Sequence, residues 1–286
     1  MAQKYLITVG DDPQYLYGVR FAAAFFTNKT DIRISLLYVA PRFDSADAHE
    51  NERLHRIDVQ LSELYRKKGE KSLAESRKIL LAHQFAEEQI TSQSFYRVHG
   101  TVTDIVEYTR SGGFDATLLG KRGYSIFERG LGSSVSEALI DLQIDFPVWI
   151  VRDPQPDRKN VLLCVDGSAA SLHAADHVAF VLERQEDHGV TLFHMRREES
   201  GDPEKLLEQV RLRLSSKIDQ RRIGELILEG GRVSESIMRA AAKGRFAAVA
   251  IGRRGHSVGS PAEKYLGSTC VNLLYNLKGA ALWVKW

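Results

Sequence analysis

An internal repeat is the feature of this sequence that most constrains its fold. Residues 4–12 (KYLITVGDD) and 160–168 (NVLLCVDGS) are both short apolar runs that end in a Gly/Asp turn and lead into an apolar segment. The next apolar runs, 34–40 (ISLLYVA) and 190–196 (VTLFHMR), keep the same spacing of 156 residues. The repeat predicts two copies of one domain, which suits a chain of 286 residues.

The spacing between the copies changes once along the chain. Residues 115–123 (DATLLGKRG) match 247–255 (AAVAIGRRG) at a spacing of 132, so the first copy carries 24 extra residues (156 minus 132) before this point. The extra residues fall in a charge-rich stretch, about 46–88, which we expect to be a helical insertion. The predicted division is domain 1 at 1–152, a Pro-containing charged linker at 153–159 (DPQPDRK), and domain 2 at 160–286.

The pattern within each copy predicts an α/β fold. Its apolar runs are short and lack polar alternation, which is typical of parallel strands covered on both faces. The segments between them are long enough for crossover helices. We therefore expect each copy to be a Rossmann-like, five-stranded parallel sheet with helices on both faces. For the second copy we predict strands near 160–166, 190–195, 224–229, 247–252 and 281–285, and helices near 169–186, 203–219, 233–243 and 267–277.

The composition and charge of the chain limit the binding partners and the cellular compartment that we expect. A formal net charge of +2 gives no reason to expect nucleic acid or an anionic membrane as partner. No apolar run reaches about 18 residues, and the first nine residues are strand-like rather than signal-like, so we expect a cytoplasmic protein. Cys164 and Cys270 have no CxxC or Cys/His spacing, which fits a reducing compartment and gives no metal site.

Two polar segments of the second copy fall where an α/β sheet binds ligands, at the carboxyl ends of strands. Asp166 ends the first strand, and Gly252-Arg253-Arg254-Gly255 ends the fourth, ahead of a helix that begins at Gly267-Ser268-Thr269. Glycines let the backbone approach an anion, and a helix N-terminus offers free N–H groups. These features indicate phosphate binding. Plain turn glycines, a helix N-cap at Ser268 or Thr269 and solvated arginines are the alternative interpretation.

No catalytic motif is present in the sequence. It contains no GxSxG, HExxH or GxxxxGK[ST]. His173 and His177 have the i, i+4 spacing of a metal pair, but no third ligand is evident, and we expect them to pack or to lie on the surface. We predict no catalytic residues and no metal ligands.

Taken together, these motifs resemble the universal stress protein family over nearly the whole chain, twice. The resemblance rests on the VDGS turn, the GRRG segment, the LGS-type helix start and the last apolar strand, FPVWIVR (146–152) in the first copy. Nucleotide-binding members of that family carry an Asp at the end of the first strand and Gly-x2-Gly-x9-Gly-[Ser/Thr] after the fourth, on an adenine-nucleotide alpha hydrolase-like fold.

The resemblance implies a site for ATP or a related adenine nucleotide, with Mg²⁺, and at most a weak ATP hydrolysis. Asp166 would contact the adenosine and Met195 would frame the base. The phosphates would fall to Gly252, Arg253, Gly255, Gly267, Ser268 and Thr269, and in a weaker first-copy site to Gly120, Gly123, Gly132 and Ser133.

The two copies depart from the family pattern in different ways. Eleven residues separate Gly255 from Gly267, and eight separate Gly123 from Gly132. The first copy has Gly10 where the second has Asp166. The second copy therefore keeps more of the nucleotide site.

Three functions stay open from the sequence. The chain is a stress-response module that binds an adenine nucleotide, or an interaction module of the same fold without nucleotide, or a hydrolase or transferase of the wider adenine-nucleotide group. The family resemblance also implies pairing through the last strands, 147–152 and 281–285. We predict an intramolecular pseudo-dimer, while a further homodimer and an unknown protein partner stay open.

Overall fold

The computed structural model describes residues 2–43, 52–120, 144–196, 202–253 and 267–285. It confirms the predicted fold class, two α/β units with parallel sheets. The first unit contains β1 (Gln3–Thr8), α1 (Tyr17–Phe25), β2 (Ile32–Ala40), α2 (Glu52–Ala82), β3 (Ile90–Tyr96), α3 (Thr101–Gly112), β4 (Ala116–Gly120) and β5 (Val148–Val151). The second contains β6 (Val161–Cys164), α4 (Ala169–Leu182), β7 (Val190–Arg196), α5 (Pro203–Ser215), β8 (Ile223–Glu229), α6 (Val233–Lys243), β9 (Ala248–Gly252), α7 (Ser268–Asn276) and β10 (Ala281–Lys285).

All ten strands belong to one sheet, in the order β3-β2-β1-β4-β5-β10-β9-β6-β7-β8. Within each half the neighbouring strands are parallel. Helices cover both faces: α1, α2, α4 and α5 contribute to one apolar cluster, and α3, α6 and α7 to the other. The strands β1, β4, β5, β6 and β9 have almost no exposed residue, because both of their faces are covered.

The charge-rich stretch of the first half forms the 31-residue helix α2. Its buried residues begin at Gly69, where α2 crosses β2. A Cβ at Gly69 would lie 2.0 Å from the ring of Tyr38, so only glycine allows this approach. Residues 153–159, the predicted linker, form neither helix nor strand. There the Arg158 guanidinium donates to the Gly279 carbonyl at 2.8 Å.

The last strands of the two halves, β5 and β10, lie side by side and pair antiparallel. Trp149 and Trp283 are direct partners in this register, and their rings stack at 4.0 Å with planes 8° apart. Both rings are fully buried. The pseudo-twofold relation between the halves therefore passes beside this tryptophan pair.

The helix of each half reaches across to the tryptophan of the other. Phe25 of α1 contacts Trp283 at 5.3 Å, and His177 of α4 contacts Trp149 at 5.8 Å. The Trp149 indole N–H donates to His177 Nε2 at 2.9 Å, which requires the neutral ring to carry its proton on Nδ1. The position equivalent to His177 in the first half is Phe21, 156 residues earlier, which offers no acceptor. Accordingly, the buried Trp283 N–H has no hydrogen-bond partner among the described residues.

A buried glutamine, Gln185, makes hydrogen bonds between the two halves just after the end of α4. The Gln185 side chain is fully buried, and its oxygen accepts from the backbone N–H groups of Thr27 at 2.9 Å and Asn28 at 3.0 Å. Its amide donates to the Asn28 carbonyl at 2.7 Å. Next to it, Arg184 and Asp31 form an ion pair between the halves. These contacts satisfy two backbone N–H groups and one carbonyl of the partly exposed turn at Thr27 and Asn28.

The Gln185 contacts generate a stability prediction. Replacing Gln185 by Leu leaves two N–H donors and one carbonyl without partners, so we expect the free energy of unfolding to fall by about 1–3 kcal/mol or more. Denaturant unfolding measures the loss. Gln155→Leu is the matched control, because Gln155 is exposed and makes one long contact of 3.4 Å to the Asp153 carbonyl. We expect the control to change stability by less than about 0.5 kcal/mol. Equal losses in both variants would contradict the role of Gln185.

A second prediction concerns the pH dependence of the free energy of unfolding. His188 is buried against Phe25, with ring centroids 4.5 Å apart, and neither ring nitrogen has a hydrogen-bond partner of normal geometry. Burial lowers the pKa of His188 to about 4, with nearby Lys159 and Arg222 acting in the same direction and the Phe25 backbone opposing. The folded chain therefore excludes a proton that the unfolded chain binds below about pH 6.5.

The stabilising effect of neutral His188 is complete above about pH 6.5 and is lost as the pH falls toward 4. We expect the free energy of unfolding to decrease across this window, with a limiting slope of about 1.4 kcal/mol per pH unit from this group. His188→Leu should have a shallower pH dependence, measured by denaturant unfolding at several pH values. Identical slopes in the two proteins would rule out His188 as a source of acid sensitivity.

Candidate functional site

The first strand of the second half ends in a tight turn built on Asp166. Asp166 Oδ1 accepts from the backbone N–H of Ser168 at 3.0 Å and from its hydroxyl at 2.6 Å. Gly167 lies between them at φ 83°, a conformation that favours glycine. Ser168 then caps α4 by accepting from the Ser171 N–H at 3.2 Å. Asp166 itself is exposed, so its carboxylate is held in a fixed position at the sheet edge and open to solvent.

The fourth strand of the second half ends against the same turn. A Cβ on Gly252 would lie 2.6 Å from the backbone carbon of Ala170 and 2.7 Å from the Ser171 nitrogen. Gly252 is therefore required for the close packing of β9 against the first turn of α4. Gly252, a candidate phosphate-binding residue, therefore also has a packing role in the fold. The alternative interpretation from the sequence was a plain turn glycine.

Arg253 connects β9 to its neighbours through its backbone. Its N–H donates to the Lys285 carbonyl at 2.8 Å, and its carbonyl accepts from the Gly267 N–H at 3.2 Å. This second bond places the start of α7 beside the end of β9. The Arg253 side chain is buried rather than solvated, in contrast to the alternative of a free loop charge.

The N-terminus of α7 supplies a group of backbone donors beside the end of β9. Gly267 is its N-cap and has no side chain, so no side-chain hydrogen bond caps the helix. Ser268 is exposed and Thr269 half-buried. The first-turn N–H groups of an α-helix lack intrahelical partners and favour anions. Ser268 and Thr269 lie within this first turn instead of acting as the N-cap.

Met195 and His194 lie at the end of β7, which is joined to the end of β6 by the Val165 N–H donating to the Phe193 carbonyl at 2.9 Å. The Met195 side chain packs in the apolar cluster under α6 and α7. His194 is buried, and its Nδ1 lies 2.9 Å from the Val165 carbonyl, so Nδ1 carries the proton. Within the described residues, His194 Nε2 is left as a buried acceptor without a hydrogen-bond partner. The sequence gives no signal for this acceptor, because Val165 and His194 meet only in the folded sheet.

The first half presents a different edge. The Val9 N–H donates to the Leu37 carbonyl at 2.8 Å, as Val165 does to Phe193, so Gly10 occupies the position of Asp166. Asp12 instead accepts from the Gln14 N–H at 3.0 Å and caps a short 3₁₀ turn. Gly120 ends β4, as predicted. The remaining candidate residues, Gly123, Gly132 and Ser133 in this half and Gly255 in the second, lie outside the described residues.

Both cysteines are free and buried. Burial raises the pKa of the Cys164 thiol well above its usual value, and raises that of Cys270 to about 12 despite the nearby Arg253. Neither thiol is therefore an activated nucleophile at neutral pH. Over residues 2–43, 52–120, 144–196, 202–253 and 267–285, no three His, Cys, Asp or Glu side chains gather to form a metal site. In the same ranges, no helix has the length and apolar character needed to cross a membrane.

A repeated Rossmann-like sheet with polar, glycine-containing strand ends defines the chain as a tandem α/β protein. The model of the universal stress protein family matches it twice, over residues 1–152 and 157–285. The chain belongs to the universal stress protein family.

Solved structures resemble the whole chain in fold. A universal stress protein from Archaeoglobus fulgidus DSM 4304 aligns over 99% of this chain and 97% of its own length, with a TM-score of 0.69 and 20% identity. A functionally unknown protein from Pseudomonas aeruginosa PAO1 aligns over 99% and 92%, with a TM-score of 0.59 and 13% identity. A putative universal stress protein from Pseudomonas aeruginosa UCBPP-PA14 aligns over 99% and 93%, with a TM-score of 0.57 and 13% identity. No curated protein matches the chain.

The packing at Gly252 generates a prediction with a control built into the repeat. Gly252→Ala forces a methyl group against the α4 backbone, so we expect a loss of about 1–3 kcal/mol in the free energy of unfolding. Gly120→Ala is the equivalent change in the first half, where the nearest atom to the new Cβ is the Tyr15 carbonyl oxygen at 3.4 Å. We expect a clearly smaller loss there. Thermal or denaturant unfolding compares the two, and equal losses would contradict the packing role of Gly252.

Proposed function

We propose that this chain is a stress-response module that binds ATP or a related adenine nucleotide, and that it does so mainly in its second half. The observation that carries the proposal is the meeting of an exposed, fixed carboxylate with an uncapped helix N-terminus at one sheet edge. Asp166 supplies the carboxylate, and the first turn of α7, at Ser268 and Thr269, supplies N–H groups that lack intrahelical partners. Such an edge is where α/β sheets bind nucleotides.

The chemistry of the two groups assigns the parts of the ligand. A carboxylate repels phosphate but accepts hydrogen bonds from hydroxyl groups, so Asp166 suits the ribose. The α7 N-terminus favours anions, so it suits the phosphates, with Gly252, Arg253 and Gly255 beside it. The base would lie over the end of β7, near the Met195 backbone and the free acceptor of His194. Mg²⁺ would bind through the phosphates, as it commonly does, and needs no preformed protein cage.

The difference between the halves supports this assignment. Gly10 replaces the ribose-binding carboxylate in the first half, and Asp12 is engaged in its own turn. A first-half site of Gly120, Gly123, Gly132 and Ser133 would therefore hold phosphates without holding the ribose. We infer a weaker site there, or none.

The organisation of the chain follows the same proposal. Domain 1 at 1–152 and domain 2 at 160–286 act as an intramolecular pseudo-dimer, joined by the linker at 153–159. The β5–β10 pairing supports this, because it uses the two last strands within one chain. A further homodimer or protein partner would need another surface. The proposal assigns no catalytic residue and no protein metal ligand, and places the protein in the cytoplasm without nucleic acid or membrane partners.

The alternative function is an interaction module without nucleotide. Two observations favour it: Gly252 is explained by the packing of α4, and Asp166 by the turn that it forms with Ser168. Both residues could be kept for folding alone. The two functions differ in whether a nucleotide changes the stability of the chain.

Nucleotide binding is tested first by mass spectrometry of the denatured protein for a co-purified nucleotide, and then by isothermal titration with ATP and Mg²⁺. We expect Asp166→Ala to weaken binding by about tenfold or more, equivalent to about 1.4 kcal/mol. Asp11→Ala, the nearest carboxylate in the first half, should leave binding unchanged. Equal loss in both variants would contradict the assignment to the second half, and no binding by the parent chain would favour the interaction module.

A further inference from the structure

A pocket lies between the two halves, and it reaches the end of β10, where the Lys285 carbonyl accepts from the Arg253 N–H. It is an open groove with a volume of about 550 Å³, and small-molecule sites usually have roughly 300–1,000 Å³. The first half contributes residues that lead into β4 and β5, and the second contributes α4 and the end of β10. None of the candidate nucleotide residues lines it.

The wall of the pocket is largely aromatic. Phe114 and Phe146 come from the first half, and Phe180 from α4 of the second. His177 also lines the pocket, and its Nε2 is occupied by the Trp149 N–H. Burial lowers the pKa of His177 to about 3, so the ring is neutral at pH 7 and its polar atom toward other partners is the Nδ1–H donor. Aromatic walls with a few polar groups are typical of small-molecule pockets.

Two of the three acidic side chains in the pocket are already neutralised. Asp145 pairs with Arg110 at 3.3 Å, and Asp176 with Arg213 at 2.9 Å. These pairs hold the rim together and leave little net charge there.

The third carboxylate, Asp115, has no such cation. It accepts from the backbone N–H of Lys4 at 2.8 Å, and no Lys or Arg nitrogen of the described chain lies within ion-pair distance. Burial raises its pKa, partly offset by that hydrogen bond and by Lys4. Since one hydrogen bond leaves most of the acceptor capacity of a carboxylate unused, Asp115 can still bind a ligand cation.

Lys285 is the complementary group across the pocket lining. It is half-buried and donates to the Asp145 carbonyl at 3.0 Å, and no carboxylate of the described chain lies within ion-pair distance. Burial lowers its pKa, while Asp145 opposes the shift. An ammonium group has three donors, so two are free for an anion.

The repeat shows that the fold does not need these two charges. Ala247 stands in the second half where Asp115 stands in the first, and Val151 stands in the first half where Lys285 stands in the second. The aromatic Phe180 likewise replaces Ala24. The positions equivalent to Asp115, Lys285 and Phe180 on the other side of the pseudo-dimer are therefore small or aliphatic.

We propose that this interdomain pocket binds a small zwitterion with an apolar or aromatic part, whose ammonium group contacts Asp115 and whose carboxylate contacts Lys285. The aromatic wall takes the apolar part. Because the pocket is made by both halves, the bound ligand stabilises their pairing. This site is independent of the proposed nucleotide site and does not rest on it.

Three probes of similar size test the proposal by isothermal titration with the full chain. L-phenylalanine carries both charges, phenethylamine lacks the carboxylate, and 3-phenylpropionate lacks the ammonium. We expect L-phenylalanine to bind at least about tenfold more tightly than either analogue. Equal affinities for the three, or no binding of any up to about 10 mM, would overturn the proposal.

Two variants assign the contacts. Asp115→Asn keeps the acceptor for the Lys4 N–H and should weaken the binding of L-phenylalanine and phenethylamine but not that of 3-phenylpropionate. Lys285→Met keeps the aliphatic part of the side chain and should weaken the binding of L-phenylalanine and 3-phenylpropionate but not that of phenethylamine. The controls are Asp187→Asn and Lys159→Met, an exposed pair at 3.3 Å outside the pocket. Thermal unfolding verifies that each variant is folded. Loss of L-phenylalanine binding in the controls, or unchanged binding in both pocket variants, would contradict the proposed site. In a separate competition experiment, saturating ATP should not displace L-phenylalanine.

Discussion

The antiparallel pairing of β5 with β10, centred on the stacked pair Trp149 and Trp283, is the contact on which the rest of the architecture depends. It joins two five-stranded sheets into one and covers two apolar strands that would otherwise be exposed edges. Stacked, buried indoles add specific geometry to the large apolar area that they remove from water. The same pairing places Gln185 against the first half and brings together the residues of both halves that line the interdomain pocket.

Pseudo-symmetry of this kind lets one half keep a feature that the other has lost. Each half folds by the same pattern, so a substitution that the shared scaffold tolerates can change the chemistry on one side alone. The tryptophan pair is the simplest example. The Trp149 N–H donates to His177, whereas the Trp283 N–H has no such acceptor, because Phe21 takes the place of His177 in the first half. The pairs that differ in the same way are Asp166 with Gly10, Asp115 with Ala247, and Lys285 with Val151.

The strands and helices of the second half were predicted from the sequence to within a few residues, because buried parallel strands are short, apolar and bounded by turns. The helical insertion was also predicted from its charge pattern, and α2 occupies most of it. Boundaries shifted where tertiary contacts decide them: α4 ends at Leu182 rather than near 186, because the chain turns there to place Gln185 against the first half.

The strand ends that carry the candidate site residues can be predicted from the sequence, but the contacts and burial of those residues cannot. Strand ends and glycines mark the edge of the sheet, yet sequence spacing does not show that Gly252 is needed for α4 packing or that the Arg253 side chain is buried. Neither the acceptor on His194 nor the interdomain pocket has a local sequence signal. Both arise from residues that are far apart in the chain and meet only after β5 pairs with β10 or β6 with β7.

The central claim is that an adenine nucleotide binds at the second-half edge and not at its first-half counterpart. Hydrogen–deuterium exchange of the full chain, with and without ATP and Mg²⁺, tests it most directly. The account predicts slower exchange at the start of α7, residues 268–270, and around the Asp166 turn, with unchanged exchange at residues 9–16. Protection at residues 9–16 alone, or no protection at either edge under conditions where ATP saturates the protein, would contradict it.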